Sequence, residues 1–328
     1  MKKIFLFAAA AMVSLSSCVQ SEEIYTGEVN EIGFKSAVVR GIIQKQEDLK
    51  LYPMSVTAIW DNPNDSQSKY NVRFEKEEFI FDQDLNCWRG KTAQYWPNGG
   101  NMHFLAFNPY PKSAVITNNF NASTGKFESM VISKIDNNIL NQHDILFSDL
   151  HTVDAPAPAA QPLHFRHALT QVNVEFKITN ATANVVLNSV VLKDVLMGGT
   201  LTVTPNEGAP STAEWTLVDT AKDRSFNKDT NVGGIEDDAL DALLKSDEAY
   251  SPLPLLVIPA ATQTSMVVRY TVDGHLEEKT IDLSVFGDWK MGFKYTYKIS
   301  INLNQIFFDC TAEAWEDAPL SNNGQVII

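Results

Sequence analysis

Apolar and polar residues alternate along much of the chain. Between positions 172 and 178, Val172, Val174, Phe176 and Ile178 are separated by single polar residues, and the stretch 295–303 repeats this pattern. Because successive side chains of a strand point to opposite faces, a two-residue period predicts strands with one buried face. Shorter apolar segments lie between Asn, Asp, Pro and Gly turns and predict further strands, namely SVTAIW at 55–60, YNVRF at 70–74, EFIFD at 78–82 and HFLAF at 103–107.

Two local patterns add to this prediction. The dipeptide Asp-Gly at 273–274 follows one alternating segment, and it predicts a two-residue hairpin with His275 beginning the return strand. The segment EDDALDALLKS at 236–246 places leucines at helical spacing behind a group of acids, and it predicts a short helix. Many short antiparallel strands with so little helix predict an all-β chain built from β-sandwiches.

The composition changes at TVDAPAPAAQP, residues 152–162, where three prolines interrupt the apolar periodicity. Such a segment predicts an exposed, semi-extended connection between domains. With 328 residues, the chain is long enough for two domains after its leader. We therefore expect one sandwich over 41–160 and a second over 163–328, preceded by a leader at 1–17 and a separate segment at 18–40.

The first residues have the pattern of a secretory signal peptide. Two lysines precede an apolar stretch at 4–13, which gives way to small residues too early for a membrane-spanning helix. The sequence Leu15-Ser16-Ser17-Cys18 resembles a bacterial lipobox, which implies cleavage before Cys18 and lipidation of its thiol. The alternative is an ordinary signal peptide with an incidental cysteine. The segment QSEE at 20–23 resembles acidic surface-export signals of Bacteroidetes lipoproteins, so we expect anchoring in the outer membrane.

Charge and motifs exclude several classes of function. The formal net charge is −14, which disfavours binding to a phosphate backbone. Cys87 and Cys310 are far apart and lack C-x-x-C spacing, so they indicate neither a zinc site nor a disulfide framework, although a single bridge between them stays open. No nucleophile elbow, zinc-binding helix motif or phosphate-binding glycine loop is present. We therefore predict no enzymatic activity, no metal and no cofactor.

Several stretches together resemble the fimbrillin family of Bacteroidetes lipoproteins. In chain order they are AQYWP at 93–97, HFLAFNPYP at 103–111, HDILFSD at 143–149, FRHALTQVNVEFKI at 165–178, LVIPAAT at 256–262, GFKYTYKISINL at 292–303 and AEAW at 312–315. The resemblance implies two tandem transthyretin-like β-sandwiches. It also implies a surface fimbrial subunit that joins other subunits by donor-strand exchange, in which a surface protease cuts after an arginine and a neighbour's strand replaces the first strand.

Under this resemblance, three parts of the chain have candidate roles. Ile32, Phe34 and Val38 share one face of a first strand and would fill the groove, and the bond between Arg40 and Gly41 is the candidate cleavage site. The alternative is that Arg40 simply ends a strand. The segment Val326, Ile327, Ile328 would form part of a donor strand, or else the last strand of its own sheet. Partners would be other subunits, the outer membrane and a host or bacterial receptor.

Two further hypotheses remain from the sequence. Asp219-Thr220-Ala221 resembles the short Bacteroidetes O-glycosylation pattern, which makes Thr220 a candidate site. The alternative function is a surface glycan-binding lipoprotein of a polysaccharide-uptake system, since such proteins bind sugars on exposed aromatic platforms. Its candidate platform residues are Trp60, Trp88, Trp96, Trp215, Trp289 and Trp315. A permanently lipidated anchor or a tip subunit are further alternatives within the fimbrial class.

Overall fold

Extended strands provide nearly all regular structure in the computed structural model of this chain. It describes residues 31–37, 50–64, 69–110, 115–136, 144–157, 159–180, 182–226, 240–259, 264–302 and 305–314. Within these ranges there are nineteen strands and one short 3-10 helix, Ser284–Phe286. None of the described helical structure is long and apolar enough to cross a membrane. The prediction of an all-β chain with little helix is confirmed.

The strands in chain order are β1 (Gly33–Ala37), β2 (Met54–Asp61), β3 (Tyr70–Asp82), β4 (Cys87–Gly90), β5 (Asn101–Asn108), β6 (Val115–Asn121), β7 (Lys126–Asp136), β8 (Leu146–Ser148), β9 (His151–Asp154), β10 (Gln161–His167), β11 (Thr170–Ile178), β12 (Val185–Asn206), β13 (Ala209–Ser225), β14 (Ala242–Leu243), β15 (Leu255–Val257), β16 (Ser265–Val272), β17 (His275–Asp282), β18 (Phe293–Asn302) and β19 (Gln305–Ala314).

The long alternating segments form strands as predicted. β11 buries Val172, Val174, Phe176 and Ile178, and β18 carries the second alternating pattern. The hairpin between β16 and β17 turns at Asp273 and Gly274, whose φ angles of 47° and 87° are those that a two-residue hairpin requires. The two predicted strands at 70–74 and 78–82 form one strand, β3, with a register shift against β2.

The predicted helix at 236–246 is wrong where the structure describes it, from Leu240 onward. Leu240, Ala242 and Leu244 are buried, while Asp241 and Leu243 between them are exposed. Ala242 and Leu243 form β14, which pairs with β12. A spacing of four residues, as between Leu240 and Leu244, fits a helix and also a strand with a two-residue period, so the leucine spacing did not separate the two.

Seven strands form a closed sheet, which surrounds a core of buried apolar side chains. Their order is β2, β3, β4, β1, β10, β8 and β5, and the pairing of β5 with β2 closes the ring, with β9 added beside β5. Alternate side chains point inward and form a cluster of buried residues, among them Met54, Val56, Phe79 and Phe104. This closure removes the free edges that an open sheet of the same strands would present.

The second and third sheets enclose a separate core. The second sheet has the order β15, β11, β18 and β19, with β11 and β18 parallel. The third has the order β17, β16, β12, β7 and β6, with β13 and β14 also paired to β12. Side chains of β11 and β18 share one buried cluster with side chains of β12 and β16, such as Leu187, Leu192 and Val268.

A third cluster joins the closed sheet to the third sheet. It contains Ile59 and Leu105 from the closed sheet and Ile132 and Leu201 from β7 and β12. β7 precedes the proline-rich segment at 152–162 yet pairs with β12, and β6 pairs with β7 in the same sheet. β10 follows most of that segment yet lies in the closed sheet. Sheet membership therefore crosses the boundary that the composition indicated, and the division into 41–160 and 163–328 stays a prediction.

The loop before β5 gives a local test of this fold. Trp60 Nε1 donates a hydrogen bond to the Gly99 carbonyl at 2.8 Å, and a Cβ at Gly100 would lie 1.9 Å from the Asp61 carbonyl oxygen, at a φ of 82°. We expect Gly100→Ala to lower the free energy of unfolding by about 3 kcal/mol, because a positive φ and a steric clash both oppose the methyl group. Urea denaturation would measure this loss.

Gly208→Ala is the matched control for this substitution. Gly208 also has a positive φ, 66°, but no atom lies within 4 Å of its added Cβ. We expect a loss of about 1 kcal/mol from backbone strain alone. Equal losses in the two variants would contradict the steric part of the explanation.

Candidate functional site: the first-strand slot

The candidate site is the place that β1 occupies between β4 and β10, named here the first-strand slot. β1 runs parallel to β10, with Phe34 opposite Gln161, and antiparallel to β4, with Gly33 opposite Arg89. Just before it, Ile32 N donates to the Gln94 carbonyl at 2.7 Å. β1 is therefore the element that joins β4 to β10, and the closed sheet would be open at this point without it.

The inward-facing residues of β1 and of the position just before it fill the core of the closed sheet. Ile32 and Phe34 are both 0% exposed and belong to its buried cluster. The Phe34 ring contacts Phe79 and Phe104 edge to face, with both centroid distances at 5.0 Å. Edge-to-face aromatic contacts add to the free energy of burying the ring area. The slot thus contains two apolar pockets, defined by Ile32 and by Phe34, which are named here the Ile32 pocket and the Phe34 pocket.

The outer side of the slot carries an ion pair. Arg89 Nε donates to Glu31 Oε1 at 3.0 Å, and its NH2 group donates to Glu31 Oε2, which gives a bidentate pair. The Glu31 side chain is only 1% exposed, whereas that of Arg89 is 30% exposed. Arg89 NH1 also donates to Asp82 Oδ2 at 3.3 Å. Although burial raises the pKa of Asp82, hydrogen bonds from the Leu85 amide and Arg89 lower it overall.

Cys87 lies at the start of β4, next to the slot. It is 0% exposed and its thiol is free. Burial, together with the Asp82 carboxylate, raises its pKa to about 11. Continuing the register of β1 and β4 by one residue places Lys35 opposite Cys87, in agreement with the effect of the Lys35 charge on this thiol. Cys310, on β19, is also free, so the structure contains no bridge between the two.

The other candidate residues from the sequence are not placed in the slot. Cys18, Val38, Arg40 and Gly41 lie outside the described residues, as does the segment Val326, Ile327, Ile328. Thr220 lies within β13, where only its backbone is described. Of the three predicted groove-filling residues, the structure describes Ile32 and Phe34 and buries both, and their exchange for another strand stays a prediction.

The described tryptophans do not form an exposed platform. Trp88, Trp96 and Trp289 are buried, and Trp88 and Trp96 belong to the core of the closed sheet. Trp60 and Trp215 are partly buried, and each indole N–H donates to a backbone carbonyl. Trp315 lies outside the described residues. No described tryptophan therefore supports the glycan-binding alternative.

The described histidines do not form a metal-binding group. His164 is exposed and His167 is buried on the opposite side of β10, where His167 Nδ1 lies 2.5 Å from Asp144 Oδ2. Burial lowers the pKa of His103 and of His151. In the part of the chain that the structure describes, no group of three or more His, Cys, Asp or Glu residues is placed to hold a metal ion.

The sequence pattern predicted the inner-face residues of the slot, Ile32 and Phe34, but not the ion pair on its outer side. The order Glu31, Ile32, Gly33, Phe34 already indicated that Glu31 lies on the opposite face from Ile32 and Phe34. Its partner Arg89, 58 residues away, could not be found from local pattern, because the contact depends on the pairing of β1 with β4.

Comparison with known proteins gives one family and several solved structures of similar fold. A family model described as fimbrillin-like matches residues 53–315. A fimbrial protein from Bacteroides vulgatus is similar over 88% of this chain and 100% of its own, with 16% identity and a TM-score of 0.59. Candidate cell adhesion proteins from Bacteroides uniformis and Bacteroides ovatus have 13% and 12% identity, cover 87% and 88% of this chain and 98% of their own, and have TM-scores of 0.51 and 0.50. No curated protein matches the sequence.

Proposed function

Since this chain belongs to the fimbrillin-like family, we propose that it is a structural and adhesive subunit of a surface fimbria. In this proposal, subunits join when a strand of a neighbour replaces β1 in the first-strand slot. The observation that carries the proposal is the position of β1, a short strand that completes a closed sheet between β4 and β10. A strand with these neighbours can be exchanged only for another strand.

The physical basis is strand addition to an open sheet. Loss of β1 would leave unpaired backbone groups along β4 and β10 and would expose the Ile32 and Phe34 pockets. Backbone hydrogen bonds supply affinity for an incoming strand, and pockets for alternate side chains supply its register. Such an open edge is prone to unselective pairing, so β1 would also protect the subunit until assembly.

Export and processing complete the proposal. The leader at 1–17 directs secretion, lipidated Cys18 anchors the precursor in the outer membrane, and cleavage between Arg40 and Gly41 releases β1. Mature subunits would consist of two tandem transthyretin-like sandwiches and would bind other fimbrial subunits and a surface receptor. Donor residues would include Val326, Ile327 and Ile328 or their counterparts in another subunit.

Electron microscopy of cells with a labelled antibody against this chain tests the proposed function. We expect label along surface fibres, because each subunit would contribute to the shaft. Label only at fibre tips would assign a tip subunit, and label only at the membrane would assign an anchor. A matched strain lacking the gene provides the control, and the absence of label from fibres, fibre tips and fibre bases alike would contradict the fimbrial proposal.

A further inference from the structure

The ion pair on the outer side of the slot places a stricter geometric requirement on a strand than the two apolar pockets do. Apolar pockets accept many alternating strands, whereas a bidentate arginine–carboxylate pair has a defined geometry. Glu31 belongs to the strand that would leave, and Arg89 belongs to the body of the closed sheet that would stay. Because Arg89 NH1 also contacts Asp82 on β3, the guanidinium has a second contact within the remaining body.

Gly33 lies beside the ion pair. Arg89 lies opposite Gly33, and Glu31 lies two residues earlier, just before β1, where it forms an isolated bridge with Tyr95. Because glycine has no side chain, position 33 places no group beside the Arg89 guanidinium, whereas a large side chain at the same position would compete for that space.

We propose that the first-strand slot selects the strand of a different subunit, and that this strand carries a carboxylate at the position of Glu31. The selected pattern is an acid, a large aliphatic residue, a small residue and an aromatic or large apolar residue, running in the direction of β1. This inference rests on the proposed function, because it names the partner of the same slot. It adds a charge requirement to the exchange of strands.

The candidate donor segment of this chain does not meet the requirement. If Val326 fills the Ile32 pocket and Ile328 fills the Phe34 pocket, Gln325 takes the position of Glu31 and Ile327 takes that of Gly33. Every other register that places one of the three apolar residues in a pocket puts Asn323, Gly324, Val326 or Ile327 at the acidic position. This segment of a second copy would therefore be a poor donor for the slot.

A peptide-exchange experiment on the full chain tests the charge requirement. A site for a specific protease is inserted after Arg40, the protein is cut, and fluorescent peptides are offered in place of the released segment. The native peptide spans residues 30–39, and its E31Q variant is the matched control. We expect the E31Q peptide to bind about tenfold more weakly, because a charge-assisted hydrogen bond is replaced by a neutral one. Fluorescence anisotropy measures both affinities.

The donor segment offers a second, independent comparison. A peptide of residues 321–328 is compared with its Q325E variant and with the variant that also carries I327G. We expect each change to increase affinity, since the first supplies the carboxylate and the second removes the side chain beside Arg89. Equal affinity of all three peptides would contradict the proposed selection against this segment of a second copy.

Substitutions of Arg89 in the protein distinguish selection by charge from a merely structural role of this residue. In R89E protein, an E31K peptide should bind better than the native one, and in R89Q protein the native and E31Q peptides should bind alike. R89Q keeps the inference testable if R89E fails to fold. Equal binding of native and E31Q peptides to unaltered protein would overturn the inference and leave strand exchange intact. Failure of every peptide, including the native one, would overturn the proposed exchange itself.

Discussion

Phe34→Ala is expected to lower the free energy of unfolding by about 3–5 kcal/mol, the usual cost of truncating a buried aromatic side chain. The Phe34 ring is 0% exposed and contacts both Phe79 and Phe104 edge to face. Its removal would leave a cavity inside the closed sheet and would remove both aromatic contacts. Urea denaturation followed by tryptophan fluorescence would measure the loss, since Trp88 and Trp96 lie in the same cluster.

Lys35→Ala is the matched control in the same strand. Lys35 is exposed, so its truncation should change stability by no more than about 0.5 kcal/mol. A loss below about 1 kcal/mol for Phe34→Ala would contradict the view that β1 is an integral strand of the closed sheet. Similar large losses for both variants would point to the backbone of β1 rather than to the Phe34 pocket.

Cys87 is expected to react with iodoacetamide only when β1 has left the slot. In the intact chain the thiol is fully buried, and a pKa of about 11 keeps it protonated at pH 8. Because the thiolate is the reactive form, raising the pKa from 9.0 lowers the reactive fraction about a hundredfold. Mass spectrometry of a variant with Cys18→Ser and Cys310→Ser, before and after specific cleavage beyond β1, would measure the change.

The pH dependence and a second variant control this experiment. Once β1 has left, the burial that raises the pKa of Cys87 is lost, so its labelling rate should level off near the ordinary thiol pKa of about 8.5, whereas any labelling of the uncut chain should keep rising toward pH 11. A variant with Cys18→Ser and Cys87→Ser retains Cys310, whose labelling should not change on cleavage because β19 lies in another sheet. Rapid labelling of Cys87 in the uncut chain would contradict a filled slot.

The periodic segments of this chain could be predicted because their signal is local. β11 and β18 alternate over many residues, and the Asp273-Gly274 turn requires only two residues with positive φ. Leu240 and Leu244 are four positions apart, which fits both a strand and a helix, so the burial of Ala242 and the exposure of Leu243 between them decided the outcome. A local pattern predicts a strand reliably when single polar residues alternate with the apolar ones.

The arrangement of strands could not be predicted in the same way. β1 pairs in parallel with β10, well over one hundred residues later in the chain, and β7 pairs with β12 across the proline-rich segment. Such pairings depend on long-range closure of sheets. The two-residue period shows that a segment is a strand but does not identify the strand with which it pairs. The candidate site shows the same limit, because the inner residues Ile32 and Phe34 were visible in the sequence and the Glu31–Arg89 pair was not.

The most direct test of strand exchange is the amino-terminal residue of the subunit in sheared surface fibres. Fibres would be removed from cells mechanically and purified, and the subunit would be sequenced from its amino terminus with intact-mass measurement beside it. We expect Gly41 as the first residue, because the leader, the lipidated segment and β1 would have been removed before assembly. A subunit that begins at lipidated Cys18 and still carries β1 would contradict the exchange of this strand.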